Sequence, residues 1–346
     1  MKLVPGDSII VRCHGRFSAE TARRCKRVLA AAITAGRANQ HSDILAHSVF
    51  DRLMDGPAPL REVEEISPFR LFAPERPFAP VIFTSAHSGR AYSADLMWGV
   101  RLCALSLRRS EDSFVDELFN AAPANGAPLL AANFPRAFCD ANREAWELDP
   151  TMFDDRLPDW VNTTSSRVSA GLGTIAKVVA SGEAIYAAKL PFAEAERRIF
   201  TYWRPFHDTL ARLIADIRSR FGYCLVIDCH SMPSNGQGKR AGGRPIDFVL
   251  GDLHGSACAP RVTRAAEALL TGKGYLVRRN DPYAGGFITR HYGHPADDVH
   301  VLQIEIARAL YMNEARIERL PEFPFVQKQI SDLVAALTLQ VHDLIG

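Results

Sequence analysis

The chain has 346 residues, 47% of them hydrophobic and 23% charged, with a formal net charge of +2. This is an ordinary globular composition with apolar material for a large core, and the length suits one large domain or two smaller ones. No Lys/Arg run points to nucleic acid, no stretch reaches the ~18 apolar residues of a membrane span, and no zinc-finger, phosphate-loop or heptad pattern occurs. The seven cysteines (Cys13, Cys25, Cys103, Cys139, Cys224, Cys229, Cys258) are scattered and form no CxxC pair, which reads as reduced thiols of a cytoplasmic protein. Lys2 and the Pro5-Gly6 pair come too early for a secretion signal.

Residues 18–37 predict a helix, with Ser18 as cap, Glu20 in the first turn and Gly36 near the end. Proline and charge recur from Gly56 to Pro80 and predict an irregular approach. Residues 1–75 are therefore read as an N-terminal extension of unknown role, and 76–346 as the domain that holds the chemistry. Val81–Ser85 predicts a short buried strand ending in a polar turn with His87. Pro128–Phe134 predicts a second strand, and Phe192–Phe221 a helix stopped by Gly222. Tyr223–Asp228 is a buried-strand pattern that runs into Cys229-His230-Ser231. Ile246–Leu250 and Tyr275–Arg278 are further short strands. Val299–Ile306 alternates like a strand and then turns helical, and Phe323–Ile345 closes the chain as an amphipathic helix. Helices alternating with short buried strands predict an α/β sheet covered on both faces. Such sheets bind ligands beyond the carboxyl ends of their strands.

His87 and His230 each follow an apolar strand and adjoin a serine. Either alone reads best as a structural histidine; the two together, with one carboxylate, would make an open zinc site. Asp228 shares a strand face with His230 and could orient it. An HxxE glutamate would offer the third ligand, but that position is Arg90. SEDSFVDELF offers Asp112 and, as second choice, Asp116, which at i, i+4 would share a helix face; the competing reading is a solvated helix start. In RAFCDANREAW, Arg136 and Arg143 can fork onto a carboxylate and Asn142 adds an amide donor, unless this is only a surface loop. Glu305 stands alone in the apolar strand QIEI, where a carboxylate needs a partner or a task. It is either a general base or half of a structural ion pair. NDPYAGGFITRHYG, with Arg290 and His291, reads as a flexible loop and a candidate substrate lid.

These segments together resemble the N-formylglutamate amidohydrolase family. The matching pieces are AHSGRAYSADL, SEDSFVDELF, FPRAFCDANRE, WRPFHDTL, IDCHSMPS, DFVLGD, DPYAGGFITRHYG and LQIEIARALYM, in the expected order from Pro80 to Met312. The resemblance implies a zinc-carboxypeptidase-like hydrolase fold, a three-layer α/β/α domain with a mixed central sheet. Relatives of that fold use a D-x-N-R run for the substrate carboxylate and a strand-end H-S for zinc, which Asp140-Ala141-Asn142-Arg143 and His230-Ser231 match. The sequence departs from the family's pattern at Ala86, where proline is frequent before the first histidine.

The resemblance implies Zn2+, or another divalent metal; together with the reading of the residues, this places the metal on His87, His230 and an acid of SEDSFVD, Asp112 by preference. Glu305 would be the general base, Arg136 or Arg290 the oxyanion donor, and Asn142, Arg143 and Arg290 the substrate-binding residues. The expected reaction is hydrolysis of an N-acyl amino acid such as N-formylglutamate to formate and the amino acid. The expected partner is a small carboxylate, with neither nucleic acid nor membrane. Rival readings are a carboxypeptidase or other acyl-amino-acid hydrolase on the same scaffold, and a metal-free binding protein that has lost the chemistry.

Overall fold

The computed structural model describes residues 67–75, 77–97, 99–179, 181–234 and 244–345; the helix expected at 18–37 lies outside them. One compact unit runs from Ile66 to Gly346. Its centre is a seven-stranded sheet made of β1 (Phe69–Phe72), β2 (Val81–Ser85), β3 (Leu129–Ala132), β4 (Cys224–Met232), β5 (Phe248–Gly251), β6 (Val277–Arg279) and β7 (Val299–Ala307). The order across the sheet is β1-β3-β2-β4-β7-β5-β6. The pairs β2–β3, β2–β4, β4–β7 and β5–β6 are parallel, whereas β1–β3 and β5–β7 are antiparallel. The sheet is mixed, as expected.

Strand alternation sorts the side chains into two apolar layers. Leu225, Ile227 and Cys229 of β4, with Leu302, Ile304 and Ile306 of β7, pack on one face against the helices α1 (Val115–Leu118), α3 (Pro260–Gly272) and α5 (Phe323–Ile345). Cys224 and Val226, with Val299 and Val301, pack on the other face against α2 (Arg204–Phe221) and α4 (Phe287–Tyr292). Continuing that second parity toward the strand ends gives Asp228 and His230 on β4, and Gln303 and Glu305 on β7. The apolar layer thus gives way to polar groups at the carboxyl ends of the two central strands, where the α/β architecture puts its ligands.

Three details differ from the sequence reading. Phe69–Phe72, expected to be irregular and placed within the extension 1–75, pairs antiparallel with β3 along the sheet edge. Three of its four residues are exposed, so no buried alternation marks it in sequence. The helix expected over Phe192–Phe221 is interrupted by a wider π-type turn at Ile199–Trp203 before α2 begins. Gly222, at φ +87°, stops α2 as expected. After β7 the chain makes a single 3-10 turn, Arg308–Leu310, rather than a helix.

Candidate active site

His87 lies two residues beyond β2, on a loop that passes close to β3. Gly89 makes this passage possible, because a Cβ there would run into the Phe134 carbonyl. The Asp112 N–H donates to the His87 carbonyl at 3.0 Å, which ties the backbones of these two residues together. His230 comes from β4. All three side chains are buried, and their donor atoms lie within 4.8 Å of one another. Asp112 Oδ2 is 2.9 Å from His230 Nδ1 and 3.4 Å from His87 Nδ1.

The outward nitrogen of His87 is held by a carboxylate, and that of His230 lies between the Asn142 amide and Asp228. His87 Nε2 donates to Asp140 Oδ1 at 2.7 Å, and His230 Nε2 lies 3.0 Å from Asp228 Oδ1. For His87 that leaves the Nδ1 lone pair toward Asp112, the arrangement of a histidine that serves a metal, while His230 Nδ1 hydrogen-bonds to the same Asp112 oxygen at 2.9 Å. His87 Nδ1 is buried without a hydrogen-bond partner, so this polar atom lacks the compensation that burial demands. Two imidazole nitrogens, one of them orphaned, and one carboxylate oxygen fit a divalent cation with an open position. The trio can bind a metal.

The charges agree. Burial alone would raise the Asp112 carboxyl, but His230 and His87 outweigh it and hold the group well below the usual carboxylate range. Burial would lower His230; Asp228 and Asp112 outweigh it and hold the imidazole well above its ordinary value. Glu305 stands opposite His230 in the β4–β7 register. Burial pushes its carboxyl up to about 7, with His230 and Arg136 opposing, and Asp112 and Asp228 adding to, that rise. Its hydrogen bond comes from Gln303 Nε2 to Oε1 at 3.1 Å, and it forms no ion pair among the described residues. The structural ion-pair reading of Glu305 therefore has no partner here.

A cavity of about 280 Å³ opens over these groups, the scale of a small-molecule site. Arg136, Asn142 and Arg143 line it. Arg136 Nη2 donates to Asp140 Oδ2 at 2.8 Å. Arg143 is anchored by Nε to the Leu172 carbonyl (2.9 Å) and by Nη1 to the Asn142 carbonyl (2.7 Å); Trp203, in the π-type turn, donates Nε1–H to the Arg143 carbonyl at 3.0 Å. Asn142 does less for a ligand than its sequence suggested. Its Nδ2 lies 3.0 Å from His230 Nε2 and donates to Asp228 Oδ2 at 3.3 Å, while its Oδ1 accepts from the Ile288 N–H at 2.8 Å. The amide is tied into the protein and steadies His230 and the start of α4.

Two expectations need correction. Asp112 and Asp116 do not share a helix face, because α1 begins only at Val115, after Phe114 at φ +68°. Asp116 points away and pairs with Arg70 and Arg90, at 2.7 and 3.1 Å. Arg90, at the HxxE position, is thus part of an ion-pair network outside the cavity. Arg290 is solvent-exposed and does not line the cavity, because α4 buries Phe287, Ile288 and Thr289 and turns Arg290 outward. The candidate lid is a cavity wall in this conformation. Leu253 N–H donates to the Ala284 carbonyl at 2.9 Å, and Gly286 lies so close to the Asn142 amide that a Cβ would collide with it.

Sequence reasoning missed Arg308 and read Asp140 only as part of the D-x-N-R run. Arg308 is buried and donates from Nη2 to Asp112 Oδ1 (3.0 Å), from Nε to Ser231 Oγ (3.2 Å) and from Nη1 to the Arg109 carbonyl (3.1 Å). It occupies one Asp112 oxygen and leaves the other to face the histidines. A buried arginine three residues after Glu305 was the available signal.

Among the described residues, no helix is long and apolar enough to cross a membrane. The N-formylglutamate amidohydrolase family model matches residues 79–312. An N-formylglutamate deformylase of Pseudomonas putida is 32% identical over 238 residues, 68% of this chain and 82% of the relative. One from Pseudomonas aeruginosa is 30% identical over 269 residues, 77% of this chain and 91% of the relative. The crystal structure of N-formylglutamate amidohydrolase from Ralstonia eutropha JMP134 superposes with a TM-score of 0.75 at 38% identity, covering 80% of this chain and 99% of that one. The chain therefore belongs to the N-formylglutamate amidohydrolase family.

Proposed function

We propose that this protein is a zinc-dependent amidohydrolase that cleaves an N-formyl amino acid such as N-formylglutamate into formate and the free amino acid. The observation that carries the reading is the convergence of His87 Nδ1, Asp112 Oδ2 and His230 Nδ1 beside Glu305 in an arginine-lined cavity. The names of its relatives support the substrate. Zinc suits two nitrogens and one oxygen with an open position.

Bound there, the cation would polarise the formyl carbonyl and acidify the attacking water. Glu305 accepts a proton from that water and passes it to the departing nitrogen. Its Oε1 accepts from Gln303, which leaves Oε2 for the transfer. Arg143 anchors the substrate carboxylate; its Nη2 is the guanidinium nitrogen not bound to a backbone carbonyl. Arg136, held by Asp140, presents its remaining N–H groups to the developing oxyanion. Asn142, Asp140, Asp228 and Arg308 hold the reacting groups in place. The free thiols of Cys139, Cys224, Cys229 and Cys258 suit a cytoplasmic setting.

The test is formate release from N-formylglutamate, with and without prior metal chelation, beside a panel of N-acyl amino acids and short peptides. Chelator-sensitive formate release is expected. Hydrolysis of peptides without formate release would transfer the site to the carboxypeptidase reading.

A further inference from the structure

Five arginines line the cavity (Arg109, Arg136, Arg143, Arg167 and Arg308) against three carboxylates, those of Asp112, Asp140 and Glu305. The protein itself uses part of this positive charge. Arg308 is bound to Asp112, and Arg136 to Asp140. Arg143 keeps Nη2 3.9 Å from Asp140 Oδ2. Arg109 and Arg167 have no carboxylate partner among the described residues. The cavity thus holds more cationic groups than one substrate carboxylate needs.

The two unpartnered arginines sit on different walls. The carbonyl of Arg109 accepts from Arg308, which places Arg109 on the Asp112 side. Arg167 belongs to the wall that holds Arg143, and a single residue joins them. Leu172 donates its N–H to the Arg167 carbonyl at 2.8 Å and accepts the Arg143 Nε–H on its own carbonyl at 2.9 Å. The short helix of Arg167, Ser166–Ser169, is fixed by the Ser165 hydroxyl, which accepts from the Val168 N–H at 3.1 Å. Arg143 is buried in this wall and Arg167 is exposed at the rim. Both line the same cavity, so this wall carries one cation in its depth and a second at its mouth.

We infer that Arg167 binds the second carboxylate of a dicarboxylic substrate and sets the enzyme's preference for acidic over neutral N-formyl amino acids. The inference rests on the proposed deformylation and adds a specificity residue to it. Electrostatics lend support. Burial holds the Arg143 guanidinium below its ordinary value, Asp140 opposes this, and Arg136 and Arg167 add to the lowering. A bound dianion relieves that repulsion between neighbouring cations. An arginine left facing a neutral amide recovers none of it, which is how charged sites discriminate.

The experiment compares kcat/KM for N-formylglutamate and for its neutral isostere N-formylglutamine, in the wild type, R167Q, R167K and R109Q. The wild type should prefer N-formylglutamate. R167Q should lose about tenfold of that preference through KM, the size of one charge-assisted hydrogen bond. R167K should retain part of the preference, and R109Q should keep it. A preference that survives in R167Q, or that collapses in R109Q instead, overturns the assignment. A wild type that uses both substrates equally overturns it too, while leaving deformylation standing. A wild type inactive on both refutes the proposed function and this inference with it.

Discussion

Glu305 on β7 and His230 on β4 are paired residues of two parallel strands, and both side chains leave the same face of the sheet. Asp228 and Gln303 form the equivalent pair one step earlier. The acid is therefore delivered beside the candidate metal-ligating histidine by strand register, not by a loop. A slip of one residue would replace Glu305 with Ile304 or Ile306 and empty the site of its proposed base.

The proposed metal site makes the first prediction. His87→Ala and His230→Ala each remove one of three converging donors and should lose most of the bound metal, since two ligands bind zinc poorly. Metal analysis of the purified variants checks this. A variant that keeps a full equivalent of metal and wild-type activity would show that its histidine is only structural.

Asp140 makes the second. It accepts the His87 Nε2 proton and the Asn142 N–H on the same oxygen. Asp140→Asn should weaken metal binding about 10–100-fold, the usual cost of losing a carboxylate behind a ligating histidine. Competition with a chromogenic chelator measures it. Unchanged affinity would mean that Asp140 serves Arg136 alone.

Arg143 makes the third. Lysine keeps the charge but cannot reach both the Leu172 and Asn142 carbonyls and still face a ligand. Arg143→Lys should raise KM for a carboxylate substrate about tenfold, with kcat changed less. Its stability should fall by about 1–2 kcal/mol from the two lost hydrogen bonds. Equal activity of the wild type on a substrate whose carboxylates are converted to amides would remove the clamp from the account.

His207 makes the fourth, through pH. Burial lowers its pKa to about 3, partly offset by its hydrogen bond to the Ala141 carbonyl. The unfolded chain takes up this proton near pH 6.5 and the folded chain does not. The stability contribution is therefore complete above pH ~6.5 and is lost as pH falls toward 3, at up to about 1.4 kcal/mol per pH unit. Urea denaturation between pH 7 and 5 should show a shallower decline in His207→Gln than in the wild type. Parallel declines would mean that His207 does not set the slope.

Much of this arrangement could be read from local sequence. Val81–Ser85 and Phe323–Ile345 are apolar patterns bounded by turn residues, and both form as expected. Parity along β4 and β7 put Asp228, His230 and Glu305 on interpretable faces. His87, Asp112 and His230 do converge, although the helix face expected to carry Asp112 with Asp116 does not form in this loop. What stayed hidden depends on contacts distant in sequence. Arg308 meets Asp112 across 196 residues, and no local pattern encodes that approach. Edge strand β1 is exposed and lacks alternation, so only its pairing with β3 reveals it. Arg290 was misplaced because six residues of α4 are too few to show which side faces the cavity.

Glu305 is the point on which the whole account turns, and Glu305→Gln tests it most directly. Glutamine keeps the size and can still accept the Gln303 hydrogen bond, but it cannot take a proton from water. Metal content and melting temperature should stay near wild type, while turnover of N-formylglutamate falls by roughly 10²–10⁴-fold. A stable, metal-loaded Gln variant with wild-type turnover would contradict the account.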